Sequence, residues 1–365
     1  MFEHLVKCFK KRTRERPLEA FQVEVTTRCL TRCVMCPRVA LADHWQDMDM
    51  PWETFQRVAR AFGLTQHVHL QGWGEPLLHP RLFDMIASAK SAGCRVGLTT
   101  NGMRLDLDTA RRLLSLDMDL IAISIAGASR HTHECIRVGS DFPLILENVS
   151  QLLNLRAAQG GKGPKVELSY LMTRTNFTEL PQAVELAASL GVDELYANNL
   201  DYTITPAHDQ LRLYDCAELR EEADRRIEEA RARARRAGIA FRAYPLVFEE
   251  VAVCEANPTK ILFVSCEGWV SPCTYVTLPG HAEIPRRFRG RQASVPVVRF
   301  GNVQEKDLAE IINDQAYRAF RQQFFRRETE AVARALMAAT GEAGYEANLP
   351  PPPSPCLTCY KLYGV

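Results

Sequence analysis

The 365-residue chain carries 45 Lys and Arg against 44 Asp and Glu, a formal net charge of +1 with the signs interspersed. That balance excludes the one-signed surface of a nucleic-acid or membrane binder. The basic start LVKCFKKRTRERP is not followed by an apolar signal core, and no apolar run approaches the roughly 20 residues that span a bilayer. A cytoplasmic, reducing location is expected, and there twelve cysteines point to metal rather than disulfides.

Residues 1–18 read as a polar lead-in. Apolar, β-branched runs then recur at EAFQVEVTT (19–27), HVHLQGW (67–73), RVGLTT (95–100), LIAISIAG (120–127), KVELSYLMT (165–173) and ELYANNL (194–200), as strands should. Helical patterns separate them: PWETFQRVARAFG, RLFDMIASAKSAG, DTARRLLSL, PLILENVSQLLNLRAAQG and ELPQAVELAASLG. Several of these start near Pro and stop at Gly. Six strands alternating with helices predict right-handed βαβ units around a parallel sheet. That sheet is either open and doubly wound or a barrel with missing strands.

ELREEADRRIEEARARARRAG reads as a long helix with Glu and Arg at i, i+4 spacing, a solvated outer face or a link to the next module. The character then changes, placing a boundary near residue 240. ILFVSCEGWVSPC predicts a hairpin turning at Glu267-Gly268. GNVQEKDLAEIINDQAYRAFRQQF predicts a strand end and a helix, and LPPPPSPC an extended connector into Cys356-Leu357-Thr358-Cys359.

After the first strand, TRCLTRCVMCP puts Cys29, Cys33 and Cys36 within eight residues. A structural zinc ion needs four ligands, usually as two pairs from separate segments. Three thiols on one loop leave a position free. On a cubane [4Fe–4S] cluster that is one iron able to take an outside ligand; zinc stays an alternative on these residues alone. His67, His69, His79, His131 and His133 invite a second metal reading, but packing or exposure near a cofactor is the expectation. Cys8, Cys94, Cys135 and Cys216 stand singly and are expected to be buried as small apolar residues.

The CxxxCxxC spacing resembles the radical S-adenosylmethionine (SAM) superfamily. The resemblance implies a partial (β/α)6 TIM-like barrel over residues 19–240, within the α/β class. It implies a [4Fe–4S] cluster on Cys29, Cys33 and Cys36, whose open iron chelates SAM. Reductive cleavage would give a 5′-deoxyadenosyl radical that abstracts hydrogen from a substrate C–H bond. Met35 takes the place of a frequently aromatic residue beside adenine. Gly72-Trp73-Gly74-Glu75-Pro76 is similar to the family's GGEP element, with Trp73 for a glycine, and is implied to meet the SAM amino group. Thr99-Thr100-Asn101-Gly102 resembles the TNG element near the SAM sugar and carboxylate. Ser124 matches the serine of SxDG, whose aspartate is here Ala126, and Arg137 matches the basic residue of RxG. All lie where ligands of parallel α/β sheets gather, at the carboxyl ends of strands.

Cys254, Cys273, Cys356 and Cys359 form a second set. Their order resembles the SPASM and twitch extensions of the same family. It implies one auxiliary [4Fe–4S] cluster on these four, in a small domain of β-hairpin plus helix over 241–365. Cys266 is a fifth thiol that could replace one of them or meet substrate, and zinc also suits four such thiols. Thr274 and Tyr275 follow Cys273 where some relatives carry an acid, so no general base is assigned.

The architecture implies modification of a peptide or protein, or maturation of an oxidoreductase. The ending CLTCYKLYG is similar to maturases associated with tungsten aldehyde oxidoreductases. A radical SAM dehydrogenase acting on a small sugar, aminocyclitol or cofactor precursor is the alternative. An iron–sulfur or zinc scaffold is the non-enzymatic reading, and it leaves GWGEP and TTNG unexplained. A low-potential donor such as ferredoxin or flavodoxin is the expected partner. No leader-binding domain precedes the barrel, so a separate recognition protein or a folded target is expected.

Overall fold

A computed structural model describes residues 16–340 and 348–365; Cys8 and nearly all of the lead-in lie outside the described residues. The six expected strands form: β1 (Leu18–Val23), β2 (Thr65–Leu70), β3 (Arg95–Thr100), β4 (Leu120–Ile125), β5 (Lys165–Met172) and β6 (Glu194–Asn199). Each pairs in parallel with the next. Helices Trp52–Ala59, Leu82–Ser91, Leu107–Ser115, Phe142–Ala158 and Leu180–Leu190 fill the connections. A doubly wound sheet reverses its strand order at a switch point. Here the spatial order β1 to β6 follows the chain without reversal, so the sheet is the partial barrel.

Local signals set the helix ends. Asp106, Ser129 and Asp141 accept hydrogen bonds from the backbone N–H three residues on, at the starts of their helices. Gly191 closes Leu180–Leu190 in the left-handed conformation.

Burial alternates along the strands with the period of two that the pleat dictates. Phe21, Val23, Val68, Leu70, Leu98 and Ile123 point outward and are fully buried under the helices. Their neighbours Ala20, Gln22, His67, His69, Ser169 and Asn198 are only partly buried. The outer face is therefore the core, and the inner face stays small and polar. A closed eight-stranded barrel instead fills its interior with bulky branched side chains.

Beyond β6 the sheet continues in ways the pattern did not announce. The helix Ala217–Ala237 buries Ala223, Ile227, Ala230 and Ala234 and faces solvent with its Arg–Glu pairs. It leads to β7 (Ala240–Ala243), which pairs in parallel with β6. The expected hairpin forms from β8 (Ile261–Val264) and β9 (Trp269–Ser271), with Gly268 at φ +87° in its turn. β8 also pairs in parallel with β1, so the hairpin widens the barrel sheet on its other edge. β10 (Glu283–Phe288) and β11 (Arg291–Pro296) form a separate hairpin around Arg289 and Gly290, both at positive φ. β12 (Gly301–Asn302) pairs with β9, and helices Leu308–Asn313 and Gln315–Thr340 follow.

Cys94 and Cys216 are buried as expected, but Cys135 is exposed. The reason is helical phase: it sits one turn from exposed His131, on the outer face of Arg130–Ile136. His79 bonds the Met50 carbonyl at 3.1 Å, and buried His133 stacks on Phe142. Among the described residues, no three His, Cys, Asp or Glu side chains converge as a single metal ion requires. No helix among them is long and apolar enough to cross a membrane.

Candidate active site

The three-thiol loop begins where β1 leaves the regular ladder. Thr27 N–H donates to the Met48 carbonyl at 2.9 Å, and Arg28 pairs with Asp49 at 2.7 Å. The loop is then stitched to the C-terminal end of the helix Arg130–Ile136 and the residues just beyond it: Arg32 N–H donates to Val138 O at 2.7 Å and Val34 N–H to Ile136 O at 3.0 Å. Cys36 closes a turn back to Cys33 O at 3.0 Å, and Pro37 opens a short helix. These bonds hold all three sulfurs toward one cavity of about 250 Å³.

Polar groups surround the sulfurs. Thr31 Oγ1 lies 3.2 Å from Cys29 Sγ and 3.5 Å from Cys33 Sγ. Asn101 Nδ2 approaches Cys29 Sγ at 3.7 Å, and Arg137 Nη1 approaches Cys33 Sγ at 3.9 Å. Burial, reinforced by the neighbouring Cys33, pushes the Cys36 thiol up to about 11. Crowded, desolvated thiols of this kind become thiolates when a cationic centre binds them. The donor set thus fits an iron–sulfur cluster.

Close packing places the strand-end loops. A Cβ on Gly72 would lie 2.3 Å from the Glu24 side chain, and one on Gly74 would lie 2.3 Å from Thr26 O. Only glycine lets GWGEP lie against the root of the cysteine loop. Glu24 is buried; its carboxylate accepts from Trp73 N at 2.9 Å and from Cys266 N at 3.3 Å. Glu75 accepts from Thr100 Oγ1 at 2.7 Å, Leu77 N at 3.1 Å and Asn101 N at 2.7 Å. Both of its oxygens are used by protein donors, so it locks the end of β2 to the end of β3.

The cavity wall brings together Cys29, Cys33, Met35, Cys36, Gly72, Trp73, Gly74, Glu75, Thr100, Asn101, Ser124 and Arg137. It also includes residues the sequence reading passed over, above all Asn199, Asp201 and Tyr202 at the end of β6. The resemblance picked out the elements after β2 and β3; the strand-end rule, applied to β6 as well, would have found these residues. Trp73 Nε1, Arg137 Nε, Asn199 Oδ1 and Tyr202 OH are buried there without a hydrogen-bond partner. Buried polar atoms are rarely left so, and their convergence marks a ligand cavity.

The second cysteine set is assembled by two arginines. Arg327, fully buried, donates to Ala252 O at 2.9 Å, Val251 O at 2.8 Å and Glu250 Oε1 at 2.7 Å, and also to Pro350 O. It therefore clamps the approaches to Cys254 and Cys356. Arg286 donates to Pro355 O at 2.8 Å and to Tyr275 O, joining the flanks of Cys356 and Cys273. Burial, then the nearby Cys359, pushes Cys254 up to about 12. Cys356 is raised by burial and by Cys359, Cys273 and Cys254 together, so the four thiols share one neighbourhood. Cys266 stands apart, buried in the barrel core with its thiol donating to Glu24 O at 3.1 Å.

A chamber of about 570 Å³ lies inside the barrel. It shares Gln71, Thr99, Arg137, Leu171, Asn199 and Asp201 with the three-thiol cavity, and its wall includes Cys273. Space for a substrate therefore runs from the first cysteine set toward the second. The expected His67 and His69 face this chamber. His69 bonds Thr99 Oγ1 at 3.1 Å, and burial lowers its pKa to about 4.

Comparison with known proteins agrees with this geometry. Residues 23–186 match the model of the radical SAM superfamily, and residues 254–334 match that of the SPASM iron–sulfur cluster-binding domain. A tungsten-containing aldehyde ferredoxin oxidoreductase cofactor-modifying protein of Pyrococcus furiosus is 28% identical over 305 residues, 82% of each chain. A probable GTP 3′,8-cyclase of Saccharolobus solfataricus is 31% identical over 183 residues, 50% of this chain and 56% of that one. Among solved structures, Streptococcus suis SuiB bound to S-adenosylmethionine superposes with TM-score 0.63 at 17% identity, covering 88% of this chain and 71% of that one. anSMEcpe with bound AdoMet gives 0.61 at 14% identity, covering 84% of each. With its three-thiol loop at the mouth of a partial barrel and a second cysteine set beside it, this chain belongs to the radical SAM superfamily, as an enzyme with a SPASM-type domain that uses SAM and [4Fe–4S] clusters.

Proposed function

We propose that Cys29, Cys33 and Cys36 hold the cluster that engages SAM, and that Cys254, Cys273, Cys356 and Cys359 hold one auxiliary [4Fe–4S] cluster. Met35, Gly72, Trp73, Gly74, Thr100, Asn101, Ser124 and Arg137 would surround the nucleotide, with Glu75 fixing the loop they stand on. When bound, cluster and SAM supply one-electron cleavage of SAM and hydrogen abstraction from a substrate C–H bond. The protein's part is to orient both partners and keep water from the reacting carbon.

The proposed role is maturation of an oxidoreductase, acting on its organic cofactor or its polypeptide. Likeness to the Pyrococcus cofactor-modifying protein over most of both chains supports this reading. The observation that carries it is the chamber joining the three-thiol cavity to Cys273, which gives a substrate a place between the two cysteine sets. Its volume also favours a second reading, a free cofactor precursor or small sugar. A low-potential ferredoxin or flavodoxin would deliver the electron.

Anaerobic reconstitution with SAM and dithionite tests the reaction. The wild type should release 5′-deoxyadenosine and Cys33→Ala should not. Equal release by both would overturn the assignment. Incorporation of deuterium into 5′-deoxyadenosine from a labelled oxidoreductase cofactor, rather than from a labelled peptide or sugar, would fix the substrate.

A further inference from the structure

Four Arg and Lys side chains are buried among the described residues: Arg212, Arg286, Arg327 and Lys361. Three of them have a carboxylate at hand. Arg212 lies 3.1 Å from Asp209, Arg327 2.7 Å from Glu250 and Lys361 2.9 Å from Asp201. Arg286, 3% exposed, forms no ion pair with any described residue.

Its burial follows from strand phase. Ile284 and Arg286 stand two positions apart on β10 and share its inward face. Ile284 enters a small apolar core with Tyr202, Val276 and Leu278, against which Cys273 and Tyr275 pack. At the next inward position the chain places a charge. The guanidinium donates to Pro355 O at 2.8 Å and to Tyr275 O, and its carbon lies 5.9 Å from the centre of the Tyr202 ring. Its Nε is buried without a partner. Carbonyls and an aromatic face are partial charges, so the full positive charge stays uncancelled. A buried cation in that state is strongly unfavourable unless an anion stands near it.

Arg286 belongs to the wall of neither the three-thiol cavity nor the chamber, so an occupant of those spaces is not its anion. It adjoins the second cysteine set instead. Pro355 directly precedes Cys356, and Tyr275 stands two residues after Cys273. Burial, then the neighbouring thiols, pushes Cys273 and Cys356 up, and the positive Arg286 draws both back down.

We infer, resting on the proposed assignment of an auxiliary [4Fe–4S] cluster to Cys254, Cys273, Cys356 and Cys359, that Arg286 is the counter-ion of that cluster and keeps its reduction potential high. The sign follows from charge. The core of an oxidised cubane is dicationic, so four thiolates make the centre a dianion, and one added electron makes it a trianion. A fixed cation stabilises the trianion more than the dianion. Hydrogen bonds to the two carbonyls would by themselves join the flanks of Cys356 and Cys273 without this effect.

The test uses the full chain with Cys29, Cys33 and Cys36 all replaced by alanine, so that iron bound after anaerobic reconstitution belongs to the second set. The midpoint potential is read by electron paramagnetic resonance during titration with dithionite, which supplies the electron. Arg286→Gln keeps an N–H donor and drops the charge. It should lower the equilibrium constant for reduction at least tenfold, a fall of about 59 mV for one electron. Arg286→Lys keeps the charge and should shift it less. An unchanged or raised potential in a Gln variant that retains its iron would overturn the inference, as would an equal shift with Lys. If Gln strips the cluster, Lys should still hold it. Iron lost from both variants would show that the carbonyl bonds, not the charge, sustain the site, and the inference falls. Iron in the parent protein separates the two levels. Without about four iron atoms and matching sulfide there, the auxiliary-cluster assignment itself falls; with them and an unmoved potential, only the role of Arg286 does.

Discussion

Replacing Gly74 by Ala tests how the cysteine loop is held. The new Cβ would sit 2.3 Å from Thr26 O and 2.8 Å from Arg28 O, both backbone atoms at the root of the loop. Such contacts do not occur below about 3.0 Å, so the GWGEP loop and the root of the three-thiol loop would have to part by about 0.7 Å. No side-chain rotation relieves the clash. Gly74 is not in the left-handed region, so the effect is purely one of space. Overpacking of this kind costs about 1–3 kcal/mol. A shift approaching 1 Å at a reacting site lowers its rate by roughly tenfold to a hundredfold.

Urea unfolding under anaerobic conditions reads the stability, and initial rates of 5′-deoxyadenosine release read the chemistry. Gly63→Ala is the control, because nothing lies within 4 Å of its added methyl; it should change stability by less than about 0.5 kcal/mol. A Gly74→Ala protein as stable and as fast as the Gly63→Ala control would refute the idea that close backbone approach positions the loop.

Further outcomes follow from the thiols and from two buried groups. Alanine at Cys254, Cys273, Cys356 or Cys359 should remove about half of the roughly eight iron atoms per chain expected for two cubanes. Cys266→Ala should keep them, because Cys266 lies in the core beside Glu24. Iron analysis after reconstitution distinguishes the cases. Burial raises the Glu24 pKa to about 7. The folded protein then holds a proton that the unfolded chain releases near pH 4.5. This contribution is fully present below about 4.5, falls as pH rises to about 7, and amounts to about 3 kcal/mol. Glu24→Gln should flatten that part of the stability–pH curve, and an unchanged slope would count against the assignment. His69 runs the opposite way. With its folded pKa near 4, its contribution is present above about 6.5 and is lost as pH falls toward 4. Its ring proton resonance should stay fixed from pH 8 to 5 in an NMR titration, and movement near 6.5 would show an exposed, ordinary histidine.

Much of the site was legible because its parts are short and local. Cys29, Cys33 and Cys36 share one loop, and the family resemblance picked out GWGEP and TTNG, which end β2 and β3 and line the same cavity. The hairpin at Glu267-Gly268 was equally local. Strand pattern alone left open sheet and barrel undecided; chain-order pairing from β1 to β6 settled it. The contact between Glu24 and Cys266 spans 242 positions, and no periodicity reports so distant a neighbour.

The sequence by itself determined which thiols could serve a cluster, which residues end the strands, and the alternation of apolar and polar faces. Only the tertiary structure decided that the polar faces enclose a chamber, that Asn199, Asp201 and Tyr202 join its mouth, and that Arg286 and Arg327 gather the second cysteine set. The reason is that alternation fixes the face on which a side chain stands. The empty volume between faces depends on how six strands curve around one another, and the partners of a buried arginine depend on segments that meet only after folding.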